Sequence, residues 1–257
     1  MERAYTRNSK DLAQTVAEQS QCISEQSRRI SELEQELERL RGKGRSRVKR
    51  AFSPKEVAAK TWVTLPWDEK WSKPFGFPAV NASWFISGAS AQGKSSFVMQ
   101  LGKELCKYGT VLYLSYEERV NQSFQRRMGY LQMNEVQGKF RVATEDTYEE
   151  LVARLRKPKS PKFVIVDSFQ VAKDDAGFSY EKAVELMRRF PKKCFIYVSQ
   201  EKKSAPLGSD ALRLRYISDM KVRVMGYKAY CLGRSIGEAG SYYVVWKDGL
   251  IQTSNGL

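Results

Sequence analysis

An α/β fold with a mostly parallel sheet, closed by a C-terminal β-meander, is the architecture this sequence predicts beyond its first fifty residues. Three observations predict it. Short apolar runs, among them "WFIS", "TVLYLS", "KFVIVDS" and "CFIYVSQ", alternate with polar stretches of helical period. A glycine-rich turn joins the first run to the helical stretch that follows it. From Lys221 onward, "KVRVMG", "YKAYCLGR" and "SYYVVWKDG" follow one another with only short turns between them. Strands that alternate with helices call for right-handed crossovers and hence a parallel sheet.

The first segment is different. Residues 9 to 41 are polar and contain neither Gly nor Pro. Val16, Ile23, Ile30 and Leu37 recur seven apart, and Leu12, Gln19, Gln26, Leu33 and Leu40 form a second series. As positions a and d these give a heptad pattern. Two arrangements satisfy it: a dimerising coiled coil, or a single amphipathic helix that folds onto the core or stays partly disordered. Gln19 and Gln26 at d weaken a seam. Residues 1–41 are therefore expected to form a coiled-coil helix, homotypic or docking a protein partner. Residues 42–51 follow as a basic linker, "GKGRSRVKRA", with no acidic residue. Residues 52–257 form the globular domain.

Within that domain the elements follow in order. "ASWFIS" is a buried strand, Ser95 to Tyr108 a helix ended by Gly109, and "TVLYLS" the second strand. Val120 to Tyr130 reads as helix, "FRVA" as strand, and Thr147 to Arg156 as helix. "KFVIVDS", the helix Tyr180 to Arg189 and "CFIYVSQ" come next, before the meander.

Composition excludes several chemistries. The 257 residues hold no histidine, which removes a His general base and any His-ligated metal. Cys22, Cys106, Cys194 and Cys231 are scattered, without a C-x-x-C pair, so neither a zinc site nor a disulfide framework is expected. Isolated cysteines, a polar N-terminus and no apolar run long enough to span a bilayer predict a cytoplasmic protein with no membrane segment. The formal net charge of +15 favours a polyanionic partner, nucleic acid first.

The motif with most chemistry is "GASAQGKSS". Gly88, Gly93, Lys94 and Ser95 stand as G-x-x-x-x-G-K-S, the phosphate-binding P-loop, with a strand before and a helix after. Gly88 and Gly93 are expected to allow a backbone whose N–H groups face an anion, and the helix end adds its dipole. Gly88, Ala91, Gln92, Gly93, Lys94, Ser95 and Ser96 would form the cradle. Lys94 would reach the β- and γ-phosphates, and the Ser95 hydroxyl would hold Mg²⁺. In "FVIVDSF", Asp167 ends a strand and is placed to hold the same ion through water. In "LYLSYEERV", Glu117 and Glu118 follow the second strand. Either could polarise an attacking water, or serve as an acid at a helix N-terminus.

Together, "GASAQGKSS", "LSYEERVNQSFQRRM", "FVIVDS" and "IYVSQ" resemble the RecA-type P-loop ATPases, in particular the branch of DnaB-like helicases and RadA-like repair proteins. The resemblance runs from about Trp84 to Trp246. It implies ATP and Mg²⁺ as ligands and a homo-oligomer with ATP between subunits. The family's catalytic glutamate falls on Glu117, and its polar sensor, at the end of the fourth core strand, falls on Gln200. It also implies a DNA-contacting loop near Glu201 to Asp210, short here; in this segment Lys202, Lys203, Arg213 and Arg215 stand around a Pro-Leu-Gly turn, where a flexible basic loop could follow a phosphate backbone. Among Arg213, Arg215, Lys221, Arg223 and Arg234, the pair Lys221 and Arg223 best suits the basic finger a neighbouring subunit would supply. Tyr116 stands where the helicases carry leucine, and no helicase N-terminal domain is evident. The expected function is thus an Mg-dependent, RecA-type ATPase acting on DNA in recombination, repair, replication or mobile-element transfer. The alternative is a nucleotide-controlled interaction protein that recruits a partner through its N-terminal helix and hydrolyses little.

Overall fold

The structure is a computed structural model. It describes residues 18–19, 21–26, 28–30, 32–34, 36, 51–232 and 237–249. The chain divides into two compact units, Met1–Lys60 and Thr61–Leu257.

In the first unit the described residues between 18 and 36 are helical. Ile23, Ile30 and Leu33 are exposed on it, and Arg28 and Arg29 both pair with Glu32. Leu12, Val16, Leu37 and Leu40 of the heptad, and residues 42–50 of the linker, lie outside the described residues. Helix α1 (Pro54–Ala58) follows, begun by a reciprocal capping box between Ser53 and Glu56.

The second unit is a three-layer α/β/α domain. Its strands are β1 (Trp84–Gly88), β2 (Val111–Ser115), β3 (Phe140–Ala143), β4 (Phe163–Asp167), β5 (Cys194–Lys202), β6 (Ala205–Pro206), β7 (Met220–Met225), β8 (Lys228–Leu232) and β9 (Tyr243–Val244). They lie in the order β3-β2-β4-β5-β1-β7-β8-β9, with β6 beside β5. From β3 to β7 all neighbours are parallel, and β8 and β9 are added antiparallel. The helices are α2 (Glu69–Phe75), α3 (Lys94–Leu105), α4 (Gln122–Tyr130), α5 (Tyr148–Arg156), α6 (Phe169–Ala176), α7 (Tyr180–Arg189) and α8 (Ser209–Ile217).

Period-two alternation explains the layers. Along the central strands Trp84, Ile86, Val111, Tyr113, Ile165 and Ile196 point to one face, where they meet α2, α3 and Tyr243. Phe85, Leu112, Leu114, Val164, Val166 and Tyr197 point to the other, against α5, α6, α7 and α8. A sheet covered on both faces needs the continuous apolar runs seen in the sequence. The first face is aromatic: Trp71 stacks on Tyr243 at 4.3 Å and on Trp67 at 5.6 Å.

Three expectations are corrected. The long third meander strand shrinks to Tyr243–Val244, because Val245 turns inward to pair with the Tyr227 carbonyl and Trp246 packs against the Tyr227 ring. Helices α2, α6 and α8 were not foreseen. The helix after the P-loop stops at Leu105, with a turn carrying the chain to Gly109.

Candidate nucleotide site

Strand order builds the site. Strand β5 lies between β1 and β4, so the C-terminal tips of all three share one sheet edge. In register, Gly88 faces Gln200 and Ser115 faces Asp167. Open α/β sheets bind ligands at this edge.

The turn from β1 to α3 has the conformation its glycines suggest, but for two different reasons. Gly93 sits at φ +91°, in the left-handed region, and is the N-cap of α3. Gly88 is not strained in this way. A Cβ there would lie 2.3 Å from the Val224 carbonyl oxygen on β7, so this glycine serves close approach of two strands. That corrects the expectation that both glycines free the loop's torsions; Ala91, at φ +59°, takes the second left-handed position instead. No side chain caps α3, and no acidic residue occupies its first turn. The amides of Lys94, Ser95 and Ser96 therefore lack intrahelical partners and point outward. The Gln92 side chain accepts from the Gly226 amide at 2.6 Å and ties the loop to the β7–β8 turn.

Lys94 is buried and donates to the Ala89 carbonyl at 2.8 Å. Burial lowers its pKa, an effect opposed by the charges of Glu117, Asp167 and Glu201. Asp167 is buried at the tip of β4. Its Oδ2 accepts from the Tyr113 hydroxyl, and its Oδ1 has no hydrogen-bond partner among the described residues. Desolvation pushes this carboxyl above the usual range, while the Tyr113 and Ser95 hydroxyls draw it back. A buried carboxylate oxygen with no protein donor, beside a serine hydroxyl, suits a hydrated hard cation. No cluster of three or more His, Cys, Asp or Glu able to hold a metal occurs among the described residues, so such an ion would take its other ligands from solvent or ligand.

Glu117 is fixed from two sides. Its backbone amide donates to the Asp167 carbonyl at 3.3 Å, and Gln200 Nε2 donates to Glu117 Oε1 at 2.9 Å. Gln200 is itself held: its amide donates to Gln170 on α6, and Gln170 donates to the Ser199 hydroxyl and the Leu207 carbonyl. The neighbouring Glu118 turns away and pairs with Arg127 on α4.

Lys94, Ser95 and Glu117 line a cavity of about 350 Å³ whose walls also include Ser90, Arg127 and Trp246. A second cavity of about 250 Å³ adjoins it, sharing Gly93, Ser96, Tyr227 and Trp246, and is mostly apolar. Arg127, Tyr227 and Trp246 were missed in the sequence, where nothing marks three residues so far apart as neighbours.

Other sequence candidates are placed differently. Glu201 follows Gln200, and its side chain is 3% exposed. It accepts from Ser87 at 2.8 Å and from Arg223 at 3.0 Å. Arg223 thus has a partner in its own chain, at odds with a finger offered to a neighbour. Lys221, half-buried, has no ion-pair partner among the described residues, and Arg234 lies outside them. The expected basic loop after Gln200 is instead a tight hairpin, β5–β6, which turns at Lys203 and Ser204, followed by α8. Lys202 and Lys203 are exposed there. Arg213 and Arg215 lie on α8, and Arg213 pairs with Glu181 and covers the Tyr180 ring. The cause is the Gly208-Ser-Asp start of α8, which converts an apparent loop into a helix.

The turn after β1 and Asp167 at the tip of β4 share one edge of a mostly parallel sheet, with β5 between their strands, an arrangement that fits a RecA-type fold. Among solved structures, the chain is similar to the flagellar accessory protein FlaH from Methanocaldococcus jannaschii, with a TM-score of 0.51 and 16% identity, covering 71% of this chain and 93% of that one. No protein-family model and no curated protein matches the chain. Among the described residues no helix is long and apolar enough to cross a membrane.

Proposed function

We propose that this chain binds and hydrolyses ATP as a RecA-type protein that acts on DNA. The observation that carries the reading is the Glu117–Gln200 hydrogen bond, set above Lys94 and beside Asp167. A carboxylate on a polar strand-end side chain, at the mouth of a phosphate cradle, is placed to orient and deprotonate water. The loop amides and Lys94 would take the β- and γ-phosphates. Ser95 and Asp167 would hold Mg²⁺, which supplies charge neutralisation on the phosphate oxygens. The apolar cavity beside Tyr227 and Trp246 has the character of a nucleobase pocket. A basic group from a second copy would complete the site; of the pair Lys221 and Arg223, Lys221 is the one with no ion-pair partner among the described residues. The positive net charge supports a nucleic-acid partner.

A second reading is a nucleotide-controlled recruiter with slow hydrolysis. The exposed Ile23, Ile30 and Leu33 favour it, as does the likeness in fold to a protein named as an accessory. Steady-state ATP turnover, measured with and without DNA, separates the two. DNA-stimulated turnover that is lost in Glu117→Gln supports the first. Bound ATP with no turnover under any condition supports the second.

A further inference from the structure

The edge of the sheet opposite the nucleotide site carries a different surface. Two loops form it: Lys157–Lys162, between α5 and β4, and Phe190–Lys193, between α7 and β5. Lys193 joins them, donating to the Ser160 hydroxyl at 2.9 Å and the Pro161 carbonyl at 2.7 Å. Burial lowers the Lys193 pKa, in keeping with a positioning role rather than a contact. A groove of about 510 Å³ opens between the loops, walled by Lys162, Arg189, Lys192 and Lys193. A second groove of about 300 Å³ meets it at Ser160 and brings Arg141, Arg154, Lys157 and Lys159. No acidic side chain among the described residues lines either groove. Arg154 is committed to Asp146, and Arg189 makes a long 3.4 Å contact with Glu185. Arg141, Lys157, Lys159 and Lys192 are exposed and have no ion-pair partner among the described residues.

We propose that this paired groove is a docking surface for the phosphodiester backbone of nucleic acid. The proposal deepens the DNA half of the function above and does not depend on the nucleotide site. A row of unpaired cations along a concave track, with no acid to repel a phosphate, is what backbone binding requires. The exposed large apolar residues of the chain, such as Trp62, Val63 and Tyr216, lie on neither loop, so the apolar insertion that helps hold a protein in a lipid interface is missing here. The hairpin site near Gln200 is poorer in free charge, because Arg213 and Lys173 are paired with Glu181 and Asp210. Strands β4 and β5 separate the groove from the P-loop edge by roughly 15–20 Å at about 3.3 Å per residue. Nucleic acid held there would neither compete with nucleotide nor need it.

The test uses the full chain and a fluorescein-labelled oligonucleotide, single-stranded and duplex, in anisotropy titrations over a range of KCl. Lys157→Ala/Lys159→Ala/Lys192→Ala is compared with Lys202→Ala/Lys203→Ala. These are exposed positions, and circular dichroism checks the fold. The groove variant is expected to lose at least about tenfold in affinity at low salt. Its log–log salt slope should flatten by about 2 on single strands and about 3 on duplex. ATP binding should not change, and Lys94→Ala should keep the groove's DNA binding. A groove variant that binds DNA as wild type does, while the hairpin variant loses binding, overturns the groove and leaves the DNA function standing. Wild-type protein that binds no DNA, or binds phosphatidylserine vesicles instead, overturns both.

Discussion

Gln200 Nε2 donates a 2.9 Å hydrogen bond to Glu117 Oε1, joining strand β5 to the turn after β2 across 83 residues of sequence. The bond holds the carboxylate in one orientation at the mouth of the Lys94 cradle. Glu117→Gln should keep nucleotide affinity and lower turnover by about 10²–10⁴-fold, because the amide cannot take a proton from water. Glu118→Gln should have a much smaller effect on turnover, since Glu118 is occupied with Arg127. Single-turnover assays of the two variants check the assignment, and a larger loss in Glu118→Gln would reverse it.

Gly88→Ala tests the close contact of β1 with β7. The added methyl meets the Val224 carbonyl at 2.3 Å, and rigid backbone must yield. A cost of about 1–3 kcal/mol is expected. At about 2–4 °C per kcal/mol for a domain of this size, thermal denaturation resolves it.

Arg223→Ala separates an intrachain role from a role in a neighbour's site. The substitution leaves the buried Glu201 carboxylate with Ser87 alone, which should cost about 2–4 kcal/mol. Adding Glu201→Gln should recover part of that loss by removing the unpaired charge. Denaturation midpoints of the single and double variants are the readout. Lost turnover with an unchanged midpoint would instead mark Arg223 as a finger.

Much of this is legible in the sequence. The P-loop spacing, the apolar run ending in Asp167 and the apolar run that leads into Gln200 all rest on local patterns, and the structure brings their residues to one edge. Helix α7 matches its expected bounds, Tyr180–Arg189, because Ser179 caps it and its apolar period is clear. What escaped depends on long-range packing. Helix α2 begins in a Trp-rich stretch whose aromatic side chains also pack on rings far along the chain, at Trp84, Phe97 and Tyr243. The role of Gly88 is set by Val224, far along the chain. Glu201 looked like one more loop charge until β5 extended to bury it between Ser87 and Arg223.

The N-terminal helix gives a prediction of its own. Ile23 and Ile30 are exposed on the chain by itself, and each would contribute roughly 1.5–3 kcal/mol if buried in a seam. Ile30→Asp should therefore lower the oligomeric state, as deletion of residues 1–41 should, and leave nucleotide binding intact. Sedimentation across a concentration series checks it. The same number of chains per particle for all three proteins would make the helix an arm for another partner.

The central claim is that the cradle around Lys94 takes the phosphates of a nucleotide, and titration of ATP into wild-type protein and Lys94→Ala tests it most directly. Lys94 supplies the only cationic side chain within the loop, and its loss should abolish tight binding while circular dichroism stays that of the native fold. Equal ATP affinity for the two proteins, both natively folded, would contradict the account.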